Sequence, residues 1–505
     1  MEPQNTNIIL GPPGTGKTTY LLNELDKVFK QYPPESVCFI AFTKKAAAEV
    51  LERTVYKFDI YEEELPMFST MHSLAFRYLH LKRNNVMNVR DYYKLAELAG
   101  VGISFEAFDS YGRPQGYQKG NALLNVVSYS KIRKVPLETS WERVGIDLML
   151  EEVEDFNELI NQYKTDNQKV DFDDMIINFT ARGICPFIQA MFIDEAQDLS
   201  SIQWDMANFL STRTNINYIA GDDDQSIFEW AGADVNQFIN LAGKVKVLNQ
   251  SWRVPKAIKG LSAGIVERIE NRREKEWNPV QENREGNISY INSIDEISDL
   301  IYKETWLLIA RTNNMLPAYE FFCQEAGVFY KYAHKDKDFK DIVVAVRDWE
   351  ILQKGGQITS ARAKNIYEFI TNSEGVQHGS KGKLNKTDKS ETFTMERLSS
   401  DFGLACSSKD WFDALDRITE EDRNYVRKSL KTDNIDRPRI TISTIHGVKG
   451  GEADNVVLMS DMGYKAYCSM EENPDMEHRT WYVAVTRTKN NLFIIEPETS
   501  YSYEF

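Results

Sequence analysis

Short strand-like runs, most of them apolar, alternate with longer amphipathic stretches along this chain. The runs lie at 8–10, 37–42, 192–194, 218–220, 245–248, 306–310, 440–444, 456–459 and 492–495. Short continuous apolar runs are typical of strands buried on both faces, and the stretches between most of them repeat apolar residues at helical spacing. Alternation of such strands with helices predicts βαβ units and parallel sheets, which is an α/β fold.

Two long intervals break this pattern. Residues 78–170 and 335–435 lack comparable apolar runs, are rich in Lys, Glu, Tyr and Trp, and are predicted to be mainly helical. The simplest division is two α/β domains, each interrupted by an inserted helical subdomain. The predicted boundaries are 1–77 and 171–249 for the first α/β domain, 78–170 for its insert, 250–334 and 436–505 for the second, and 335–435 for its insert. Within the second insert, the lysine-rich stretch 379–390 predicts a loop.

Composition places the chain among globular proteins. Of its 505 residues, 42 % are hydrophobic and 27 % are charged, and no apolar run approaches the roughly 18 residues of a membrane span. The start of the chain has no secretory pattern, and five scattered cysteines without a C-x-x-C pair indicate reduced thiols. We therefore expect a cytoplasmic protein with no membrane partner.

The net charge of −16 lowers the expectation of a polyanionic partner only modestly. Net charge governs solubility and long-range steering, whereas a local groove can still be positive. Individual residues must therefore decide whether the chain binds nucleic acid.

The most specific pattern is a G-x-x-x-x-G-K-T loop directly after the first strand-like run. It consists of Gly11, Pro12, Pro13, Gly14, Thr15, Gly16, Lys17 and Thr18, and Thr19 follows it. Glycines let backbone N–H groups turn toward phosphate oxygens, and the positive end of the following helix adds to the attraction. Lys17 would reach the β- and γ-phosphates, and the Thr18 hydroxyl would ligate Mg²⁺. The loop predicts a nucleoside triphosphate site.

A pair of carboxylates supplies the second half of the predicted nucleotide site. Asp194 and Glu195 stand at the end of the apolar run 192–194. Neighbouring residues at a strand end can point differently, so we predict Asp194 on the metal side and Glu195 as the general base that activates water. The alternative is a solvated acidic turn, which the upstream loop disfavours.

These motifs, together with others further along, resemble those of the superfamily 1 DNA helicases of the UvrD/Rep/PcrA type. The resemblance extends over nearly the whole chain and keeps that family's order: A-F-T-K-K-A-A at 41–47, S-T-M-H-S at 69–73, D-F-D-D at 171–174, D-E-A-Q-D at 194–198, G-D-D-D-Q-S-I at 221–227, S-W-R at 251–253, T-I-H-G-V-K-G-G-E at 444–452 and Y-V-A-V-T-R at 482–487. It implies two RecA-like P-loop domains with ATP and Mg²⁺ in the cleft between them. A compact, phage-type member is one interpretation.

The resemblance also implies roles around the nucleotide. Arg253 and Arg487 would stabilise charge on the γ-phosphate, and Gln225 would sense that phosphate or the attacking water. Trp252 would stack on adenine where relatives use tyrosine, and Glu452 would contact the ribose. A surface ion pair is the ordinary role of any single arginine, and only the order of the motifs favours catalysis here.

Aromatic residues are the best local indication of a nucleic-acid track. Phe228 and Trp230 follow Gln225 in an acidic loop, and Phe42 ends a strand-like run. Stacking of a base on an aromatic ring is worth about 1–3 kcal/mol. By resemblance these three rings lie in a single-strand channel, while core packing remains the alternative for Trp230 and Phe42. Further candidates for contacts in this region are Thr43, Thr70, His72 and His446.

Several departures from the family pattern bear on function. Ala231 stands where relatives carry arginine, and Gln4 is too close to the loop to replace the family's upstream glutamine with any assurance. Both inserts are also short for the family. These differences leave adenine selectivity and duplex unwinding as open questions.

The leading hypothesis is an ATP-dependent translocase that moves 3′–5′ along single-stranded DNA and unwinds duplex DNA. The alternatives are a translocase that displaces proteins without efficient unwinding, a non-hydrolysing nucleic-acid-binding scaffold, and a motor on RNA. The expected partners are single-stranded DNA and its junctions with duplex, and a single-strand-binding or replication protein is a further candidate. The expected setting is the cytoplasm of a bacterial or phage-infected cell.

Overall fold

The structure, a computed structural model, describes residues 1, 3–105, 107–108, 114–116, 118–144, 147–280, 284–333, 339–372, 374–431 and 438–505. The chain divides into two compact units, Met1–Glu285 with Ser469–Thr486 and Gly286–Cys468 with Arg487–Phe505. Residues 250–285, which the sequence assigns to the second α/β domain, thus cluster with the first unit. The predicted boundaries at 334/335 and 435/436 lie outside the described residues, and the four-part division stays a prediction.

Strands and helices alternate through residues 1–285. In chain order they are β1 (Thr6–Leu10), α1 (Lys17–Phe29), β2 (Val37–Ile40), α2 (Lys44–Phe58), β3 (Phe68–Ser69), α3 (Met71–Tyr78), α4 (Val89–Leu98), β4 (Ala107–Phe108), β5 (Pro114–Gln115), α5 (Lys119–Arg133), α6 (Leu137–Val144), α7 (Leu150–Asp166), α8 (Phe172–Ala181), β6 (Ala190–Ile193), α9 (Ser201–Ser211), β7 (Ile216–Gly221), α10 (Val235–Ile239), β8 (Lys244–Val247) and α11 (Lys256–Val266).

The same alternation resumes in the rest of the chain. The elements are β9 (Asn287–Ile291), β10 (Trp306–Ala310), α12 (Leu316–Ala326), β11 (Tyr330–Tyr332), α13 (Lys340–Gln353), β12 (Ile358–Thr359), α14 (Ser360–Glu368), α15 (Ser380–Asn385), β13 (Thr392–Phe393), α16 (Met395–Phe402), α17 (Trp411–Ala414), α18 (Glu420–Ser429), β14 (Ile440–Thr444), β15 (Ala453–Met459), α19 (Tyr464–Glu472), α20 (Pro474–Val485) and β16 (Thr488–Ile495).

The first unit is built on a six-stranded sheet in the order β3-β2-β6-β7-β1-β8, with every pairing parallel. Successive residues of a strand face opposite sides of the sheet. Ile8 and Leu10 accordingly pack with α3, α8 and α9 on one face, while Ile9 packs with α1 on the other. Burial on both faces explains why β1, β2, β6 and β7 appear as apolar runs in the sequence.

The first helical insert has a hydrophobic cluster of its own, formed by residues of α4, α5 and α7. It is joined to α8 by a buried lysine, because Lys164 Nζ lies 2.8 Å from a carboxylate oxygen of Asp171 and 2.7 Å from one of Asp174. Asp171 also caps α8, since its side chain accepts a hydrogen bond from the backbone N–H of Asp174. The D-F-D-D motif therefore begins a helix and anchors the insert.

The second unit contains another six-stranded parallel sheet, in the order β11-β14-β10-β15-β16-β9. Its helical insert shares a continuous hydrophobic core with this sheet, because Trp349, Ile366 and Val426 belong to the same cluster as Leu308 and Ile442. The predicted loop at 379–390 is wrong in part. Residues Ser380–Asn385 form α15, because a leucine within the lysine-rich stretch reaches the core.

The predicted fold class is confirmed: α/β, with two RecA-like parallel sheets and inserted, mainly helical segments. Within the part of the chain that the structure describes, no helix has the length and apolar character needed to cross a bilayer.

Candidate nucleotide and nucleic-acid site

Most of the predicted site residues lie at one edge of the first sheet. They follow the carboxyl ends of its strands: 11–18 after β1, 42–43 after β2, 70–72 after β3, 194–195 after β6, 222–225 after β7 and 251–253 after β8. Because all six strands are parallel, these ends meet at the same edge. That edge is where open α/β sheets bind their ligands.

The loop between β1 and α1 has the backbone that a phosphate cradle requires. Gly14 and Gly16 have φ of 72° and 78°, in the left-handed region that favours glycine. A Cβ at Gly11 would lie 2.0 Å from Cγ of Lys17, so the lysine passes directly over the loop. Its Nζ donates a hydrogen bond to the carbonyl oxygen of Gly11 at 3.1 Å. This arrangement at the start of α1 can turn backbone N–H groups toward an anion.

Thr15 in the loop and Thr19 at the start of α1 form further hydrogen bonds within the first unit. The Thr15 hydroxyl donates to the carbonyl oxygen of Pro12 at 2.8 Å. The Thr19 hydroxyl accepts a hydrogen bond from Arg53 at 3.1 Å. These contacts stabilise the loop rather than define a ligand.

Thr18 and Asp194 form the pair of oxygens predicted for a metal ion. The Thr18 hydroxyl donates to a carboxylate oxygen of Asp194 at 2.7 Å. Burial raises the pKa of Asp194 to about 6, and the charge of Glu195 adds to the rise. A buried carboxylate of this kind is stabilised by a nearby cation, and hydroxyl and carboxylate oxygens are ligands that Mg²⁺ prefers. The residues present therefore fit a magnesium site.

Glu195 lies beside the phosphate loop. Its backbone has φ 55°, an uncommon value for a residue other than glycine. One carboxylate oxygen lies 3.5 Å from Lys17 Nζ, and the other accepts a hydrogen bond from Gln197 at 2.6 Å. Gln197 is fully buried and accepts in turn from the backbone N–H of Asp222 at 3.0 Å. The sequence motif contains Gln197, but sequence reasoning assigned it no role.

The segment after β7 is fixed by a buried ion cluster that sequence reasoning missed. The carboxylates of Asp222, Asp223 and Asp224 lie 3.1, 2.6 and 2.9 Å from Nζ of Lys275, a side chain with no exposed surface. Gln225, predicted to sense the phosphate, donates to Asp222 at 2.6 Å. Lys275 stands in the alternating sequence N-R-R-E-K-E, which is typical of a solvated surface and gave no sign of burial.

Residues 251–253 lie directly on the phosphate loop, within the first unit. The Ser251 hydroxyl donates to the carbonyl oxygen of Pro13 at 2.8 Å, and the Trp252 N–H donates to that of Gly14 at 2.9 Å. A Cβ at Gly14 would lie 2.5 Å from Cβ of Arg253. The indole of Trp252 is 68 % exposed. The structure thus brings the predicted γ-phosphate arginine and the predicted adenine contact to the loop.

The three predicted strand-binding rings form a row on the first unit. Phe42 and Phe228 stack with ring centroids 6.0 Å apart and an interplanar angle of 17°. Trp230 follows, with its ring 6.4 Å from that of Phe228, and is 54 % exposed. The core interpretation of Trp230 is therefore wrong, and Phe42 is half-buried. A row of partly exposed rings can stack successive bases.

Thr43, Thr70 and His72, the polar candidates for nucleic-acid contacts on this unit, have structural roles. Thr43 and Thr70 cap α2 and α3, because their hydroxyls accept from the backbone N–H groups of Ala46 and Ser73. The ring of His72 packs edge-on against Phe172, at 5.4 Å between centroids. A capping hydroxyl can still meet a sugar or phosphate, so their predicted nucleic-acid contacts stay predictions.

The remaining candidates lie in the second unit, at opposite edges of its sheet. His446 follows the carboxyl end of β14, whereas Glu452 and Arg487 precede the amino ends of β15 and β16. Arg487 is buried and donates to the carbonyl oxygen of Gly451 at 3.3 Å, while Glu452 pairs with a lysine. The structure brings Glu452 and Arg487 together, and their predicted contacts with ribose and γ-phosphate stay predictions.

Comparison with protein families identifies the class of protein. Residues 1–246 match the UvrD/REP helicase N-terminal domain, and residues 132–499 match the UvrD-like helicase C-terminal domain. The second match alone covers more than half of the chain. The chain therefore belongs to the UvrD/Rep family of helicases, as the motifs predicted.

Individual relatives are distant. The chain is 26 % identical to the ATP-dependent DNA helicase Rep of Buchnera aphidicola, over 46 % of this chain and 36 % of that protein. It is 25 % identical to the ATP-dependent DNA helicase PcrA of Bacillus subtilis, over 58 % and 41 %. A probable DNA helicase II homolog of Mycoplasma pneumoniae is 22 % identical over 97 % of this chain and 82 % of its own length. The chain thus spans well under half of the Rep and PcrA relatives.

Among solved structures, an arterivirus nonstructural protein 10 helicase in complex with DNA is similar with a TM-score of 0.34. It is 10 % identical, over 98 % of this chain and 62 % of that chain. This score is too low to bear on the fold.

Proposed function

We propose that this protein is an ATP-dependent motor that translocates 3′–5′ along single-stranded DNA and unwinds duplex DNA ahead of it. One observation carries the proposal: the phosphate loop, the Asp194–Glu195 pair and the row of rings Phe42, Phe228 and Trp230 belong to one edge of one sheet. Nucleotide chemistry and strand contacts on the same rigid edge are what a nucleic-acid-driven ATPase requires.

Each predicted residue of the nucleotide site has its own proposed role in ATP hydrolysis. The loop and Lys17 would hold the β- and γ-phosphates, and Thr18 with Asp194 would hold Mg²⁺, which neutralises charge that develops on the phosphates. Glu195 would accept a proton from the attacking water, in an orientation set by Gln197. Arg253, and by family resemblance Arg487, would add positive charge at the transferred phosphate. Trp252 and Glu452 would contact the nucleoside.

Strand binding would use stacking rather than base reading. Rings accept any base, so the proposed site on Phe42, Phe228 and Trp230 suits a motor that must pass over every sequence. Phe228 lies three residues after Gln225, so movement of a base on this row can reach the proposed phosphate sensor through a short backbone segment.

The decisive test is an ATPase assay of the full chain with and without oligo(dT). The wild type should hydrolyse ATP several-fold faster with oligo(dT), and Lys17→Ala should be inactive in both conditions. Lys30→Ala is the matched control, because Lys30 caps the far end of the same helix α1, is exposed, and pairs at the surface with the exposed Asp26. A wild-type rate that ignores single-stranded DNA contradicts the proposal.

Polarity and unwinding need a second assay. Duplexes with 3′ or 5′ single-stranded tails distinguish the direction of movement, and streptavidin bound at a strand end reports translocation without unwinding. The replacement of the family's arginine by Ala231 beside the ring row favours testing protein displacement as the second candidate. Streptavidin release from 3′-tailed strands without duplex opening would select it.

A further inference from the structure

The buried ion cluster after β7 holds an unusual number of charges out of water. Asp222, Asp223 and Asp224 are all essentially buried, and Lys275 lies within 3.1 Å of each carboxylate. Arg272 adds a two-pronged contact to Asp224, at 2.9 and 2.7 Å. Three anions and two cations leave the cluster with one net negative charge. Buried charges persist only when they are paired in good geometry, so the position of each oxygen matters.

Asp222 divides its two oxygens between different partners. Oδ1 forms the ion pair with Lys275 at 3.1 Å, and Oδ2 accepts a hydrogen bond from Nε2 of Gln225 at 2.6 Å. Burial raises the pKa of Asp222, and the positive charge of Lys275 opposes that rise. Asp222 is the acceptor in its contact with Gln225, as expected of the ionised carboxyl group that Lys275 favours.

An ionised carboxylate can only accept hydrogen bonds. The Gln225 amide therefore turns its NH₂ group toward Asp222 and its carbonyl oxygen away from that carboxylate. A carbonyl oxygen can accept a hydrogen bond from an attacking water, whereas an amide turned the other way would present donors instead.

The backbone of Asp222 also contacts the residue that orients the proposed general base, Glu195. Its N–H donates to Oε1 of Gln197 at 3.0 Å, and Nε2 of Gln197 donates to Glu195 at 2.6 Å. Asp222 thus contacts the residue that orients Glu195 and the residue proposed to sense the phosphate. All of these residues belong to the first unit.

We propose that Lys275 is a positioning residue for ATP hydrolysis, which fixes the orientation of the Gln225 amide through the carboxylate of Asp222. This inference rests on the proposed function, because it assumes that Gln225 acts on bound ATP. It adds a residue that lies outside the motifs found in the sequence.

Asp222→Asn is the informative variant, because it preserves shape while removing one of three mutually repelling carboxylates. The new amide has a single oxygen. Lys275 attracts that oxygen, so the NH₂ group faces Gln225 and forces the Gln225 amide to turn around. We expect the variant to melt near the wild-type temperature, with KM for ATP little changed and oligo(dT)-stimulated kcat lowered by about 10- to 100-fold.

The double variant Lys275→Met/Asp222→Asn provides the rescue. With the lysine gone, the NH₂ group of the substituted side chain is attracted to Asp223 and Asp224, and its oxygen returns to Gln225. The double variant should recover most of the kcat lost in Asp222→Asn. Lys275→Met alone leaves the carboxylates one cation short and should lower the melting temperature.

Lys256→Met is the matched control, since Lys256 forms an exposed ion pair with Glu285 and should change neither kcat nor melting temperature. Wild-type kcat in a folded Asp222→Asn variant would overturn the positioning role, as would a double variant no faster than Asp222→Asn. Either result leaves the proposed function intact if wild-type ATPase still responds to oligo(dT). A wild type without that response defeats the proposed function instead.

Discussion

Replacing Trp230 with alanine tests whether the ring row binds a strand. Trp230 is 54 % exposed at the end of the row, and the neighbouring Phe228 also stacks on Phe42. Truncation at 230 therefore removes one stacking surface and leaves the Phe42–Phe228 stack in place. The change should act on ligand binding rather than on folding.

The magnitude follows from one ring stacking on one base. Loss of a stacked base is worth about 1–3 kcal/mol, which corresponds to about 5- to 150-fold weaker binding of single-stranded DNA. Substitution of an exposed side chain away from the core usually changes stability by no more than about 0.5 kcal/mol. Binding should thus weaken much more than the fold does.

Fluorescence anisotropy with labelled oligo(dT) measures the affinity, and ATPase rates at zero and saturating oligo(dT) separate basal from stimulated turnover. Tyr56→Ala is the control, because Tyr56 is 91 % exposed and lies near the far end of α2, about 18 Å of helix from the sheet edge that carries the row. Unchanged oligo(dT) affinity in Trp230→Ala, or an equal loss of basal and stimulated ATPase, would refute the strand-binding role.

Three further substitutions test the nucleotide site. Glu195→Gln should bind a fluorescent ATP analogue normally but turn over about 100- to 10,000-fold more slowly, because only water activation is removed; rapid hydrolysis would show that another group is the base. Gly14→Ala should abolish nucleotide binding in the same titration, since φ is 72° and the new Cβ would lie 2.5 Å from that of Arg253; normal binding would contradict the close packing. Thr18→Val removes the hydroxyl that contacts Asp194 at 2.7 Å and should raise the Mg²⁺ concentration needed for half-maximal ATPase; an unchanged Mg²⁺ dependence would remove Thr18 from the metal site.

Local patterns were sufficient for most of the sheet strands. The predicted runs at 37–42 and 306–310 fall on β2 and β10, because strands covered on both faces need continuous apolar residues. The run at 440–444, in which Ile alternates with Thr and Ser, falls on β14. The short β3 and the half-exposed β9 and β11 were not predicted. Their residues carry too little apolar signal, and pairing with a neighbouring strand determines their conformation.

The candidate site also has features that the sequence predicts and features that only the structure reveals. A short motif determines its own backbone, so the loop at 11–18 and the adjacent Asp194 and Glu195 could be recognised from residue types and spacing alone. The grouping of 251–253 with the first unit could not be recognised, nor could the exposure of Trp230, because each depends on contacts between distant segments.

The sequence by itself therefore determined the family, the parallel α/β class and the chemistry expected at the phosphate loop, since each is encoded in contiguous residues. Only the tertiary structure decided that Lys275 is buried among three carboxylates and that Asp222 is shared between this lysine and Gln225. The physical reason is that this burial and ion pairing arise between residues some 50 positions apart in the chain. No local sequence pattern indicates which charged side chain will be buried.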